Sequence, residues 1–188
     1  MEGIFETQKE GSEIILVGQP DMVNKKLDNA IAVPKVLSFL TYQSFTESVP
    51  GMNDFKVEEL PTNIPALYYS YHIMIGLGTV FIAVMLVAAF LLRNGKVFRN
   101  RFIMWMMMIL APMAYIANLA GWYTAELSRQ PWLVYGLLKT SEGISPHVSS
   151  GNTLFTLLGF IGLYLLLGIL FVILVMKIIL KGPETKHA

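Results

Sequence analysis

Long charge-free stretches make up most of the last two thirds of the chain. Each of the three that occur is longer than the roughly 20 residues that an α-helix needs to cross the hydrocarbon core of a bilayer. They cover residues 60–92, 102–125 and 143–176. Punctuating proline and glycine residues before them, and charges behind them, define the ends of the helices. The pattern predicts three transmembrane helices, at about 66–92, 102–124 and 151–177.

The first part of the chain follows a different pattern. Short apolar stretches, at 14–17 and 36–40, alternate there with Gly, Asn, Asp and Pro. A short helix beginning near Pro34 fits this pattern, but little of the segment could form a core. The predicted fold class is therefore an all-α membrane protein, with three transmembrane helices preceded by an irregular extracytoplasmic loop segment. We divide it into residues 1–65 and a transmembrane region, 66–188, whose outer link lies at about 125–150.

Composition supports a membrane protein and excludes several other classes. The 188 residues are 54% hydrophobic and 14% charged, whereas roughly a quarter of the residues in a soluble domain carry charge. There is no cysteine, which excludes a disulfide scaffold and a thiolate metal site. The formal net charge of +1 gives no indication of nucleic-acid binding.

The distribution of charge predicts the orientation. Residues 1–59 contain ten acidic side chains and five lysines, so this segment is strongly acidic and the remainder is basic. Lysine and arginine collect in short cytoplasmic loops. The link 93–101 has four cations and no acid, and the C-terminal end is also basic, so both are expected inside. The N-terminal segment and the link 125–150 are expected outside.

This orientation requires about 65 polar N-terminal residues to be exported. A signal peptide has a basic region followed by an apolar one. The first twenty residues do not contain this pattern. We therefore expect an earlier helix upstream, so that the chain is the C-terminal part of a longer membrane protein.

Glu126 is a candidate functional residue because an ionisable side chain in or beside a bilayer costs free energy. Helical spacing places Trp122 and Arg129 on its face. One interpretation is an interfacial Glu–Arg pair beside a belt tryptophan. The other is a carboxylate that ligates a metal or moves protons, with Trp122 against a planar cofactor.

Met74 is a second candidate, close to the outer end of the first predicted helix. Most such methionines fill space, but a thioether can also be an axial haem ligand. His72 and Met74 cannot hold the same iron, because two residues turn about 200° around a helix. A histidine opposite Met74 must come from another segment.

A specific motif lies at the end of the second predicted helix. The sequence Gly121-Trp122-Tyr123-Thr124-Ala125-Glu126-Leu127-Ser128-Arg129-Gln130-Pro131-Trp132 is similar to the GW…AE.GRQPW signature of subunit I of cytochrome bd quinol oxidases. Residues 69–78 resemble the start of that family's seventh transmembrane helix. Residues 2–8 and 31–40 resemble the later part of its outer quinol loop. The similarity covers nearly the whole chain but only the last third to half of a complete subunit.

The resemblance implies an enzyme, a quinol:oxygen oxidoreductase that reduces oxygen to water and generates a membrane potential. It implies a multi-pass location in a bacterial or archaeal cytoplasmic membrane. The implied cofactors are a low-spin haem b, a high-spin haem b, and a haem d or a haem b in its place. The implied partners are quinol, oxygen, membrane lipid, the N-terminal half of subunit I, subunit II and, in some complexes, a small single-helix subunit.

The resemblance also implies roles for individual residues. Met74 would be an axial ligand of the low-spin haem b, and Glu126 would be the carboxylate at the high-spin haem b. Trp122 would lie among the haems. The motif residues Arg129, Gln130 and Trp132 would hold haem propionates or shape the pocket, since an arginine fork suits carboxylates.

Two positions depart from the family pattern. His72 stands where many members have an arginine close to the low-spin haem, so the reduction potential is expected to differ. Ser128 stands where the family usually has glycine, and it would be strained if that position requires a positive φ. The histidines that ligate the low-spin haem opposite Met74 and the haem d have no counterpart here, so this chain alone should be inactive.

Two other functions remain open at this point. One is a non-catalytic three-helix scaffold or assembly protein derived from that subunit. The other is a small b-type cytochrome that uses Met74 together with His147 of the outer link.

Overall fold

The computed structural model describes residues 2–143, 145 and 147–182, and three long helices dominate it. They are long and apolar enough to cross a membrane, and they confirm the three predicted spans, with ends a few residues further out in most cases. Their bounds are Ile64–Arg93 (α2), Arg101–Ser128 (α3) and Ser150–Lys181 (α4).

Each long helix begins at a polar capping residue. The Asn63 side chain accepts a hydrogen bond from the Ala66 N–H at 3.1 Å. Asn100 does the same for Ile103 at 3.3 Å, and Ser149 for Asn152 at 3.3 Å. These side chains satisfy backbone donors that the first helical turn leaves unpaired, which is why the helices begin at these points.

α2 and α3 form a helical hairpin. A short link containing the turn Val97–Arg99 joins them, and the two helices pack against each other along their length. At the link end, Ala88, Val97 and Ile103 form a small buried cluster. The opposite end of the hairpin therefore brings the beginning of α2 next to the end of α3.

α4 belongs to a second compact unit, separate from the unit that ends at Gly143. None of its described residues is buried within the structure. Its mostly apolar surface is typical of a helix that faces lipid or other helices.

A β-hairpin occupies part of the N-terminal segment, and the sequence did not predict it. Strands β1 (Ile14–Asp21) and β2 (Lys26–Val33) pair antiparallel, with irregular register after Ile15 and after Val17. The Asp21 carboxylate accepts hydrogen bonds from the Val23 and Asn24 amides at 2.8 and 3.1 Å. These bonds, led by the one from Asn24, lower the pKa of Asp21 and fix the turn.

The predicted helix near Pro34 is present as α1, Val36–Tyr42. It is tied to the segment before β1 by two completely buried serines. The Ser12 N–H donates to the Ser38 hydroxyl at 2.6 Å, and the Val49 N–H donates to the Ser12 hydroxyl at 3.1 Å. The Ser38 hydroxyl in turn donates to the Glu47 carbonyl. The N-terminal segment is therefore held by buried polar contacts rather than by a large apolar core.

We expect Ser38→Ala to loosen this segment. The substitution leaves the buried Ser12 N–H without its acceptor, a loss that typically costs about 1–3 kcal/mol. Limited proteolysis of the membrane-embedded protein should show faster cleavage within residues 2–60. The same change at Ser44, whose hydroxyl contacts Thr46 near the surface, is the control. Equal cleavage rates in the two variants would contradict this account of the buried serines.

Candidate functional site

The β-hairpin packs on the first turns of α2 through Tyr68. This side chain is 2% exposed, and its ring lies directly under Gly3. A Cβ at Gly3 would stand 2.9 Å from two atoms of the ring, and a Cβ at Gly18 of strand β1 would stand 2.9 Å from the Tyr68 hydroxyl oxygen. The next turn of α2 places His72 against Tyr68, with 4.0 Å between their ring centroids.

His72 joins α2 to strand β1. Its Nδ1 lies 2.9 Å from the Tyr68 carbonyl oxygen and its Nε2 lies 3.0 Å from the Ile15 carbonyl oxygen. A carbonyl oxygen can only accept, so both contacts are hydrogen bonds only when both ring nitrogens carry protons. Sequence reasoning did not foresee the contact with β1.

Met74 faces α3 rather than the β-hairpin. Its Sδ is so close to Gly121 that a Cβ on that glycine would stand 3.0 Å from the sulfur. His72 and Met74 therefore contact different elements, as expected from a separation of about 200° around the helix. The Met74 side chain is half-buried.

Glu126 lies on the same end of the helical hairpin as Met74. It follows Gly121 by five residues, or roughly 7.5 Å along the axis of α3. Glu126 is exposed and Trp122 is 57% exposed. The hairpin therefore brings together the thioether and the carboxylate that the sequence singled out, although they are 52 residues apart in the chain.

The alternative interpretation of Glu126 required an ion pair with Arg129. α3 ends at Ser128, and Arg129 already has a non-helical backbone as the residue that follows it. Glu126 forms no ion pair with Arg129, and the ion pair between Lys26 and Asp28 lies elsewhere in the chain. The carboxylate of Glu126 is thus available to a group from outside this chain.

The turn after α3 is held by a residue that the sequence analysis did not single out. The Thr140 hydroxyl lies 3.0 Å from the carbonyl oxygens of both Arg129 and Pro131. The Thr140 N–H also donates to Pro131 at 2.9 Å. These contacts fix the backbone around Gln130.

Trp132 begins the short strand β3, Trp132–Val134, which pairs with β4, Leu138–Lys139. Lys139 places its Nζ 5.2 Å from the centre of the Trp132 ring. The indole Nε1 is buried and has no acceptor among the described residues. A buried donor of this kind is rare unless another group satisfies it.

Ser128 is not strained, because its position does not require the positive φ that would favour glycine. It is the last residue of α3, and its φ is not positive. Its hydroxyl lies 3.1 Å from the Ala125 carbonyl oxygen, to which it donates. Serine at this position therefore keeps an ordinary helical backbone.

The link after α3 also contacts the N-terminal segment. The Tyr135 hydroxyl donates to the Glu59 carboxylate at 3.1 Å, and Phe55 meets the Tyr135 ring edge-on at 5.8 Å. Loss of surrounding water, with the Glu59 contact, raises the pKa of Tyr135. The two segments predicted to lie outside thus meet at one end of the helical hairpin.

Comparison with known proteins agrees with this arrangement. The family model for cytochrome bd terminal oxidase subunit I matches residues 1–183. The chain belongs to this family. The membership confirms the resemblance read from the motif and shows that the chain is an integral membrane protein of an electron-transferring oxidoreductase family.

Named relatives support the same membership. The chain is 34% identical over 191 residues to cytochrome bd ubiquinol oxidase subunit 1 of Bacillus subtilis (strain 168), covering 97% of this chain and 41% of the relative. It is 33% identical over 125 residues to cytochrome bd-II ubiquinol oxidase subunit 1 of Escherichia coli (strain K12), covering 66% of this chain and 24% of the relative.

A solved structure also supports membership of this family. The bd oxidase from Geobacillus thermodenitrificans matches with a TM-score of 0.65 and 30% identity, over 97% of this chain and 41% of that chain. The present sequence therefore spans about two fifths of the length of the subunits that it matches over nearly all its residues.

The residues of this bd oxidase chain fit haem. No three His, Cys, Asp or Glu side chains in the described part of the chain converge on a metal site. Met74 offers a half-buried thioether beside a glycine. Glu126 offers a carboxylate with no partner among the described residues, and the buried Trp132 Nε1 offers a donor with no acceptor among them.

Proposed function

We propose that this chain acts as the C-terminal part of subunit I of a bd-type quinol:oxygen oxidoreductase. The observation that carries the proposal is the packing of Met74 against Gly121 on α3, the helix that also bears Glu126. Two groups able to meet iron are thereby held at one end of one helical hairpin. Residues 1–65 form the rear of the quinol loop, and residues 66–188 form the transmembrane region.

In this proposal, Met74 and Glu126 are ligands of different haems. The thioether of Met74 holds a low-spin haem b, and a thioether ligand raises the reduction potential. The carboxylate of Glu126 would hold the high-spin haem b, and the oxygen site would use a haem d or a haem b in its place. When bound, the haems supply the electron transfer and the reduction of oxygen.

The other residues of the motif orient and enclose these groups. Trp122 presents a largely exposed ring one turn before Glu126, suited to stacking on a planar cofactor. Arg129 and Gln130, in the turn held by Thr140, and the buried Trp132 Nε1 donate to haem propionates. His72 contacts the Ile15 carbonyl oxygen and so helps to keep strand β1, in the rear of the quinol loop, on the first turns of α2.

The orientation follows from charge. The acidic segment 1–65 and the link near 125–150 lie outside, and the basic link 93–101 and the C-terminus lie inside. Quinol oxidised on the outer side releases its protons there, while oxygen reduction takes protons from the inside. The complete complex includes the N-terminal part of subunit I and subunit II.

Coexpression tests this function. The chain is produced with the N-terminal part of a related subunit I and with subunit II, in a host that lacks other quinol oxidases. We expect membranes that consume oxygen on addition of quinol and show haem b bands in reduced-minus-oxidised spectra. An assembled complex without haem would contradict the proposal and would favour the scaffold interpretation.

A further inference from the structure

The Met74 side chain occupies the space that a side chain at Gly121 would need. A Cβ built on this glycine would stand 3.0 Å from the Met74 Sδ and 3.6 Å from its Cγ. The glycine lies on α3 and the methionine on α2, so the contact joins the two helices of the hairpin. No other atom outside α3 lies within 4 Å of that Cβ position.

A distance of 3.0 Å would be too short for ordinary packing between the Met74 sulfur and a Cβ at residue 121. Two non-bonded carbon atoms reach their optimum at about 3.5–4.0 Å, and sulfur is larger than carbon. A methyl group at Gly121 would therefore push the sulfur away by several tenths of an ångström. Met74 could respond through its flexible side chain, but the position of its sulfur would change.

We propose that Gly121 is a positioning residue that sets the place of the Met74 sulfur, and through it the ligation of the low-spin haem b. The inference rests on the proposed role of Met74 as an axial ligand. Ligation needs the sulfur at one distance and direction from the iron, so a small displacement weakens the bond. Gly121 contacts the ligand and does not itself touch the haem.

The contact is particular to this glycine within the hairpin. Gly76 and Gly78 also lie on α2, but a Cβ at either would meet no atom within 4 Å. The thioether of Met74 is the group that a side chain at residue 121 would meet. Glycine at residue 121 therefore leaves room for the side chain of the proposed ligand, and this explains it better than general helix packing does.

The test uses the assembled complex that carries this chain. Gly121→Ala is compared with Gly78→Ala, in which the added methyl group meets open space. The readouts are the reduced-minus-oxidised spectrum of the low-spin haem b and its midpoint potential. We expect Gly121→Ala to lose much of the low-spin signal, and the remaining haem to have a lower potential. Gly121→Val should lose the signal completely, whereas Gly78→Ala should keep it.

The outcomes separate this inference from the role of Met74. If Met74→Leu retains the low-spin haem, the ligand assignment itself fails. If Met74→Leu removes the haem but Gly121→Ala leaves spectrum and potential unchanged, only the role of Gly121 fails. If the Gly121→Ala subunit fails to accumulate and all haem signals disappear with it, Gly121 is needed only for the packing of the helices. This result would also overturn the proposal.

Discussion

Met74→Leu should remove the low-spin haem b signal from the assembled oxidase. Leucine has nearly the volume of methionine, and such exchanges usually cost less than about 1.5 kcal/mol, so the hairpin should still form. The thioether that would hold the iron is lost. Quinol oxidation should fall on the order of 10-fold or more, the size of loss that follows even the removal of an outer partner of a metal ligand.

Met85→Leu is the matched control for this experiment. Met85 lies on the same helix and is 58% exposed, about three turns from Met74. Its substitution should leave the low-spin signal and the oxidation of quinol unchanged. Reduced-minus-oxidised spectra of detergent-solubilised complex provide the measurement. A full low-spin signal in Met74→Leu would mean that the iron takes its ligand elsewhere.

Glu126→Ala should perturb the high-spin haem and the reduction of oxygen. The carboxylate has no partner among the described residues, so its removal breaks no contact within this chain and should leave the hairpin folded. Oxygen consumption should fall on the order of 10-fold or more. The low-spin haem at Met74 should remain, which distinguishes a local loss from misfolding.

Two further variants sharpen this second experiment. Glu126→Gln keeps the size of the side chain and removes its charge, so a loss as large as that of alanine would assign the effect to the carboxylate. Glu10→Gln removes an exposed carboxylate of the N-terminal segment and should leave oxygen consumption unchanged. Wild-type turnover in Glu126→Ala would leave Glu126 as an ordinary interfacial residue.

The long helices could be predicted from the sequence because a bilayer imposes a simple rule on them. A run of about 20 residues without charge has few alternatives to a spanning helix, and Asn63, Asn100 and Ser149 mark where the helices begin. The return of the chain through the link 93–101 then places Met74 and Glu126 at one end of the hairpin. Helical spacing also separated His72 from Met74 correctly.

The β-hairpin could not be predicted in the same way. Its strand β1 is held by Tyr68 of α2 and by the His72 contact with Ile15, and these contacts join residues that are 50 or more positions apart in the sequence. The local signal was the turn formed by Asp21 and Asn24, which on its own indicates a turn but not the strands around it. Tertiary contacts decided the structure of this segment.

Some contacts of the site also could not be predicted from the sequence. The motif indicated Arg129, Gln130 and Trp132, but Thr140 holds their turn from the far side of a short hairpin. Similarly, the motif glycine Gly121 stood out as a family residue, but only the packing of α2 on α3 shows that it meets Met74. A pattern identifies residue types, whereas their neighbours depend on how the helices pack.

A density map of the assembled complex, at a resolution that shows side chains, tests directly whether Met74 and Glu126 hold haem iron. We expect the Met74 sulfur at ligating distance from one haem iron and the Glu126 carboxylate at another, both at the end of the α2–α3 hairpin that carries Trp122. A map in which either side chain faces lipid, with no haem iron within reach, would contradict it.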